Sequence, residues 1–131
     1  MSEYRKLKVW EASHKFAIDI YKTTKRFPED EKYGLVSQIR RSASSIPTNI
    51  VEGCGQIGNG TLIRFLGIAK GSAFEAEYQL QLAKDLEYIN VSQFNTLTEK
   101  IKIIIRMLNK LIKSLKVLKP KTENRKLKTF Y

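Results

Sequence analysis

The feature that most constrains the fold is a long, regular apolar repeat near the end of the chain. Its apolar residues alternate steps of three and four: Phe94, Leu97, Ile101, Ile104, Leu108, Leu111, Leu115 and Leu118. This spacing predicts one stripe along an α-helix, a heptad seam about 37 Å long at about 1.5 Å per residue. Asn90-Val91-Ser92 supplies a turn and a cap before it, and Pro120 ends it. Such a helix needs other apolar faces to cover it, which indicates a bundle.

The first and second helices are predicted from similar patterns on either side of Pro28. A helix over residues 7–26 carries one apolar stripe, formed by Val9, Phe16, Ile20 and Phe27. A helix over residues 31–57 repeats apolar residues every seven positions, at Val36, Ala43, Ile50 and Ile57. Pro47 lies inside that pattern, so we expect a kink there. Two shorter helices are the alternative, but the phase of the repeat continues across Pro47.

The third helix is predicted after the loop Gly58-Asn59-Gly60, with Thr61 as its N-cap. Its apolar positions step in fours and threes: Leu62, Leu66, Ala69, Ala73, Ala76, Leu80 and Ala83. Gly67 and Gly71 each weaken an exposed helix by about 1 kcal/mol relative to alanine. Close approach of a neighbouring helix is the expected compensation.

Four amphipathic helices with short loops predict an all-α protein, an antiparallel up-down-up-down four-helix bundle over residues 1–119. Residues 120–131 are expected to form a flexible basic tail. The last helix carries more apolar residues than one seam uses, at Ile103, Ile105, Ile112 and Val117. Part of this surplus is expected to face another subunit.

Positive charge is concentrated at one end of the chain. The net charge is +11, and residues 100–131 carry eleven Lys or Arg against one acid, whereas residues 1–99 carry thirteen against twelve. A basic end suits nucleic acid, an anionic membrane surface or an acidic protein, or it keeps a protein in solution. The candidate phosphate contacts are Lys102, Arg106, Lys110, Lys113 and Lys116 in the helix, and Lys121, Arg125, Lys126 and Lys128 in the tail.

Composition excludes several classes of site. One cysteine, Cys54, cannot form an intramolecular disulfide, and with one histidine, His14, the chain has too few ligands for a Cys/His zinc site. Cys54 is expected to be a buried small hydrophobe. No nucleophile–base pair or carboxylate dyad is visible, so we expect no enzyme, metal, cofactor or small-molecule substrate. The chain shows no signal peptide or membrane span and is expected in the cytoplasm.

Residues Gly53 to Gly58 match the spelling of the dinucleotide motif G-x-G-x-x-G. That motif needs a preceding β-strand, because the turn and the following helix together cradle the pyrophosphate. A helix precedes it here, so the segment is interpreted as a helix–helix turn. Arg40 and Arg41 precede a run of small residues in the second helix, where they could pair with Glu75 or Glu52, or contact phosphate directly.

Two blocks of the sequence resemble a known family. The run from Gln38 to Gly53, QIRRSASSIPTNIVEG, is similar to the hallmark of four-helix-bundle proteins encoded by intervening sequences in bacterial 23S ribosomal RNA genes. The block from Phe65 to Glu77 and the opening Leu7 to Ser13 agree with it, and the resemblance covers about residues 4–118. It marks Arg40, Arg41, Asn49, Glu52, Gly53 and Glu75 as motif residues with a structural or binding role.

The resemblance implies a homo-oligomer, a pentamer in related members. It also implies nucleic-acid binding, since related accessory proteins of diversity-generating retroelements bind nucleic acid and engage a reverse transcriptase. Charge and resemblance together predict a non-enzymatic protein that binds structured RNA, in preference to DNA, through the fourth helix. The alternative is a scaffold whose basic face binds an acidic protein, such as a reverse transcriptase or another RNA-processing enzyme.

Overall fold

A computed structural model describes residues 3–117, and all regular structure in that range is helical. Its α-helices are α1 (Lys8–Thr24), α2 (Leu35–Cys54), α3 (Asn59–Asp85) and α4 (Val91–Val117), with 3₁₀ turns at Tyr4–Lys6 and Glu29–Glu31. Both α1 and α3 pack against α2 and α4, so α1 and α3 lie diagonally opposite one another. The predicted all-α four-helix bundle is confirmed.

The core lies between the apolar sides of the four helices. Phe16 and Ile20 of α1 are fully buried, and so are the largest core side chains of the other helices: Ile39, Ile46, Ile50, Leu66, Leu80, Ile101, Ile104, Leu108 and Leu115. The predicted seam of α4 is confirmed from Leu97 to Leu115, and Leu118 lies outside the described residues. Of the surplus apolar residues of α4, Ile105 is buried, whereas Ile103 and Val117 are exposed.

Specific contacts show how neighbouring helices meet. Near the end of α2, a Cβ built on Gly53 would lie 2.8 Å from Leu62 Cδ1 near the start of α3. Further along, Ser72 Oγ of α3 donates a 2.9 Å hydrogen bond to Ser45 Oγ of α2. The up-down-up-down order of all four helices and the kink at Pro47 stay predictions, although α2 continues as one helix across Pro47. The predicted tail, residues 120–131, lies outside the described residues.

The predicted ends of the second and third helices are wrong by several residues. The second helix was predicted over residues 31–57, but α2 begins at Leu35, after a 3₁₀ turn at Glu29–Glu31. It ends at Cys54, so Ile57 is 95% exposed and does not lie in the core. At Gly58 the backbone turns with φ of 93°, a conformation that favours glycine. This turn starts α3 at Asn59, so Thr61 lies inside the first turn and is not the N-cap.

The expectation for Gly67 and Gly71 is also wrong. Both glycines are exposed, and a Cβ added at either would meet nothing within 4 Å in the described part of the chain. The residues of α3 that allow close packing are the alanines on the opposite side, Ala69, Ala73, Ala76 and Ala83, which are fully buried. The glycines therefore lie on a side of α3 that nothing in the bundle covers.

The predicted cap of α4 is confirmed. Asn90 Oδ1 accepts a 2.7 Å hydrogen bond from the Gln93 amide, and Gln93 Oε1 accepts a 2.9 Å bond from the Asn90 amide. This reciprocal pair satisfies two backbone donors that the helix itself cannot satisfy. The pair therefore stabilises the start of α4.

Candidate nucleic-acid interface

One side of α4 is exposed and basic. Lys102, Arg106, Lys110, Lys113 and Lys116 are all exposed, and they follow one another at steps of four, four, three and three. This spacing keeps them on one side of the helix over about 21 Å, opposite the buried seam. We call these five residues the α4 basic face. The tail candidates Lys121, Arg125, Lys126 and Lys128 lie outside the described residues.

Acidic residues neutralise little of the α4 basic face. Within residues 3–117, its one ion pair joins Arg106 Nη2 to Glu99 Oε2 at 3.9 Å, and both side chains are about two-thirds exposed. An exposed pair of this length holds neither group firmly. Lys100, by contrast, lies outside this face and donates a 2.7 Å hydrogen bond to Asp19 Oδ2 of α1. Its charge is therefore committed to the contact between α1 and α4.

The structure assigns Arg40 to the packing of α2 on α1. Arg40 Nε donates a 2.8 Å hydrogen bond to Thr24 Oγ1, Nη2 donates to the Tyr21 carbonyl oxygen at 3.2 Å, and the guanidinium lies 4.7 Å from the centre of the Tyr21 ring. The alternative of a pair with Glu75 or Glu52 is wrong for Arg40, because no described ion pair includes it. Sequence reasoning missed Thr24, a small polar residue that is almost fully buried in α1.

The other motif residues divide into packing and exposed positions. Asn49 Nδ2 donates to the Ser45 carbonyl oxygen at 2.8 Å and to Ser45 Oγ at 2.9 Å, within α2. Gly53 is buried against α3. Arg41, Glu52 and Glu75 are exposed. Much of the motif therefore serves the α1–α2 and α2–α3 contacts.

His14 and Cys54, the two residues considered for catalysis or metal binding, both take part in packing contacts. The His14 ring stacks on Trp10 with 4.9 Å between ring centres and 8° between their planes. Cys54 is buried as expected, and burial raises the pKa of its thiol, which disfavours the nucleophilic thiolate. Among residues 3–117, no three His, Cys, Asp or Glu side chains come together as a metal site would require.

The segment from Gly53 to Gly58 is the end of α2 and the turn into α3, so the interpretation as a helix–helix turn is confirmed. Across the described helices, none combines the length and apolarity needed to cross a membrane.

An open groove of about 570 Å³ lies between α1 and α2, lined mainly by apolar side chains, among them Trp10, Ile18, Tyr21, Pro47 and Val51.

Comparisons with known proteins agree on one family. Residues 5–110 match the model of the family described as 23S rRNA-intervening sequence protein. A crystal structure of a protein of unknown function from the S23 ribosomal protein family of Bacteroides thetaiotaomicron VPI-5482 superposes with a TM-score of 0.73 and 32% sequence identity. The alignment covers 80% of this chain and 98% of that one. No curated protein matches, and neither match indicates an enzyme family.

Proposed function

The chain belongs to the 23S rRNA-intervening sequence protein family, and we propose that it is a non-enzymatic protein that binds structured nucleic acid through the α4 basic face. The observation that carries the proposal is the one-sided exposure of Lys102, Arg106, Lys110, Lys113 and Lys116. Lysine and arginine side chains in such an array neutralise backbone phosphates and release bound counterions. The tail residues Lys121, Arg125, Lys126 and Lys128 extend the same positive charge.

RNA is the preferred nucleic acid in this proposal. The family's description connects it with intervening sequences of 23S rRNA. The α4 basic face has no cluster of exposed aromatic side chains on which bases could stack, so it suits phosphates and helix shape more than base edges. We therefore propose binding to a folded RNA segment without strong base specificity.

Self-association completes the proposal. We infer a homo-oligomer, with five copies as the family resemblance implies, because exposed apolar side chains remain on several helices of the described chain. Repetition of the α4 basic face would convert weak phosphate contacts into tight binding. Cytoplasmic location and the absence of catalysis also belong to the proposal. The absence of catalysis is supported by Cys54, whose thiol pKa is raised by burial, and by the stacking of His14 on Trp10.

Titration by electrophoretic mobility shift tests the binding. A 23S rRNA fragment, duplex DNA and single strands would be titrated at several salt concentrations with wild-type protein and with Lys110, Lys113 and Lys116 changed to Glu. The matched control changes Lys6, Lys8 and Lys32 to Glu, which alters the net charge equally at exposed positions outside α4. The proposal expects weaker binding for the α4 variant alone. Absence of binding at low salt, or equal losses in both variants, would contradict it.

The second candidate is a scaffold whose α4 basic face binds an acidic protein partner, such as a reverse transcriptase or another RNA-processing enzyme. The observation that favours it is the exposure of Ile103, at 39%, and of Val117, at 72%, beside the basic residues. Apolar side chains among lysines suit a protein surface better than a phosphate backbone. Substitution of Ile103 and Val117 by Ser separates the two candidates, since RNA binding through phosphates would survive it.

A further inference from the structure

We propose that the exposed side of α3 that carries Phe74 and Tyr78 inserts into the groove between α1 and α2 of a second copy of the chain. The α3 outer face is defined here by Gly71, Phe74, Glu75 and Tyr78, and the α1/α2 groove by Trp10, Ile18, Tyr21, Lys22, Pro47 and Val51. This contact rests on the self-association proposed above and adds the two surfaces that make it. It does not depend on nucleic-acid binding.

The α3 outer face exposes two large aromatic side chains. Phe74 is 50% exposed and Tyr78 is 63% exposed, although both lie in the middle of a 27-residue helix whose opposite side is fully buried. Gly71 lies one turn before Phe74 and is exposed, and it has no side chain that could cover the ring. Phe and Tyr supply large contact area at low entropic cost and are enriched at protein interfaces.

The α1/α2 groove is an apolar recess with a basic edge. Ile18 and Tyr21 are 40% and 44% exposed, and the groove's volume is about 570 Å³. Lys22 and Lys25 line its edge and are both exposed. On the α3 outer face, Glu75 is exposed beside the two aromatic rings, and Asp85 is exposed two turns further on. The two surfaces are therefore both apolar, and their charged residues are of opposite sign.

The positions of the two surfaces determine the kind of assembly. Because α1 and α3 lie diagonally in the bundle, the α3 outer face and the α1/α2 groove lie on different sides of one copy. One copy therefore cannot bring them together. A contact between unlike surfaces repeats from copy to copy, and it closes into a ring where the rotation between copies allows. The α4 basic face takes no part in the contact, so each copy in a closed ring keeps it available.

Light scattering on two exposed-position variants tests the contact. The α3 variant changes Phe74 and Tyr78 to Glu, and the groove variant changes Ile18 and Lys22 to Glu. The matched control changes Tyr33 and Ile57, which are 87% and 95% exposed outside both surfaces, to Glu. The proposal expects the wild-type and control proteins to have the mass of several copies and both variants to have the mass of one copy. Cooperative thermal unfolding of each variant shows that the single chain remains folded.

A mixture of the two variants provides the stricter test. Each variant retains the surface that the other has lost, so an equimolar mixture should form a complex of two chains and no larger species. If the groove variant keeps the wild-type mass, or if the mixture stays at one copy, the proposed contact is wrong. If the wild-type protein is a single copy, the proposed oligomer is wrong as well. If the wild type is an oligomer and both variants remain oligomeric, only this contact is wrong.

Discussion

Tyr88 Oη donates a 2.7 Å hydrogen bond to Glu31 Oε2, and this contact joins the connection between α3 and α4 to the turn before α2. The other carboxylate oxygen, Glu31 Oε1, accepts a 3.0 Å hydrogen bond from the Leu35 amide at the start of α2. The Phe27 ring lies 5.3 Å from the Tyr88 ring, centre to centre. One carboxylate therefore stabilises a helix start and a contact between chain segments that are distant in sequence.

This arrangement predicts an acid-sensitive contribution to stability. The Leu35 amide, and secondly the Tyr88 hydroxyl, lower the pKa of the Glu31 carboxyl. A lowered pKa in the folded state stabilises the protein above the carboxyl's ordinary pKa, and that stabilisation is lost as the pH falls through the folded value. In chemical denaturation, Glu31→Gln should be less stable than wild type at pH 7, and the difference should shrink in acid. A difference that is independent of pH would contradict this explanation.

Gly53→Ala should destabilise the bundle by about 1–3 kcal/mol, because added volume in a packed contact forces neighbours apart. The new methyl group would lie 2.8 Å from Leu62 Cδ1 and 3.0 Å from Phe65 Cβ. Gly67→Ala is the control, since a methyl group there meets nothing within 4 Å in the described chain and gains up to about 1 kcal/mol of helix propensity. Equilibrium unfolding in urea measures both, and opposite signs are expected.

Arg40→Met should cost about 1–3 kcal/mol of folding free energy, because it removes the charged donor from Thr24 and from the Tyr21 carbonyl oxygen. Arg41→Met, at the exposed neighbouring position, should change stability by less than about 0.5 kcal/mol. If Arg40→Met unfolds like wild type but weakens RNA binding, Arg40 contacts phosphate and the packing role is wrong.

Asn90→Ala should lower the stability of the start of α4 by about 0.5–2 kcal/mol, since it removes the acceptor of the Gln93 amide. Hydrogen exchange followed residue by residue should show faster exchange in the first turn of α4. Asn95→Ala, at an exposed position inside the same helix, should leave that turn protected.

Neutralisation of the α4 basic face should change the salt dependence of RNA binding. If Lys110, Lys113 and Lys116 each contact a phosphate, their replacement by Gln reduces the slope of log affinity against log salt by about two to three. Fluorescence anisotropy at four or five salt concentrations measures the slope. A slope equal to that of wild type would show that these lysines make no phosphate contact.

Patterns within single helices were predictable from the sequence. The buried seam of α4 from Leu97 to Leu115 and the buried alanines of α3 follow directly from helical periodicity. The exposed basic positions of α4 follow from the same period, because residues opposite a buried seam face solvent. The ends of the helices were harder to predict. Ile57 continues the spacing of α2 but lies beyond its end at Cys54, and the backbone turns at Gly58, where φ is 93°.

The sequence by itself determined the helical class, the seams of the helices and the concentration of positive charge near the end of the chain. Only the tertiary structure decided that Gly67 and Gly71 of α3 lie uncovered in the described chain, that Arg40 binds Thr24, and that Glu31 binds Tyr88. The physical reason is that periodicity records how residues are arranged around one helix axis. Contacts between side chains 16 or 57 residues apart depend on the relative placement of helices, which local spacing does not encode.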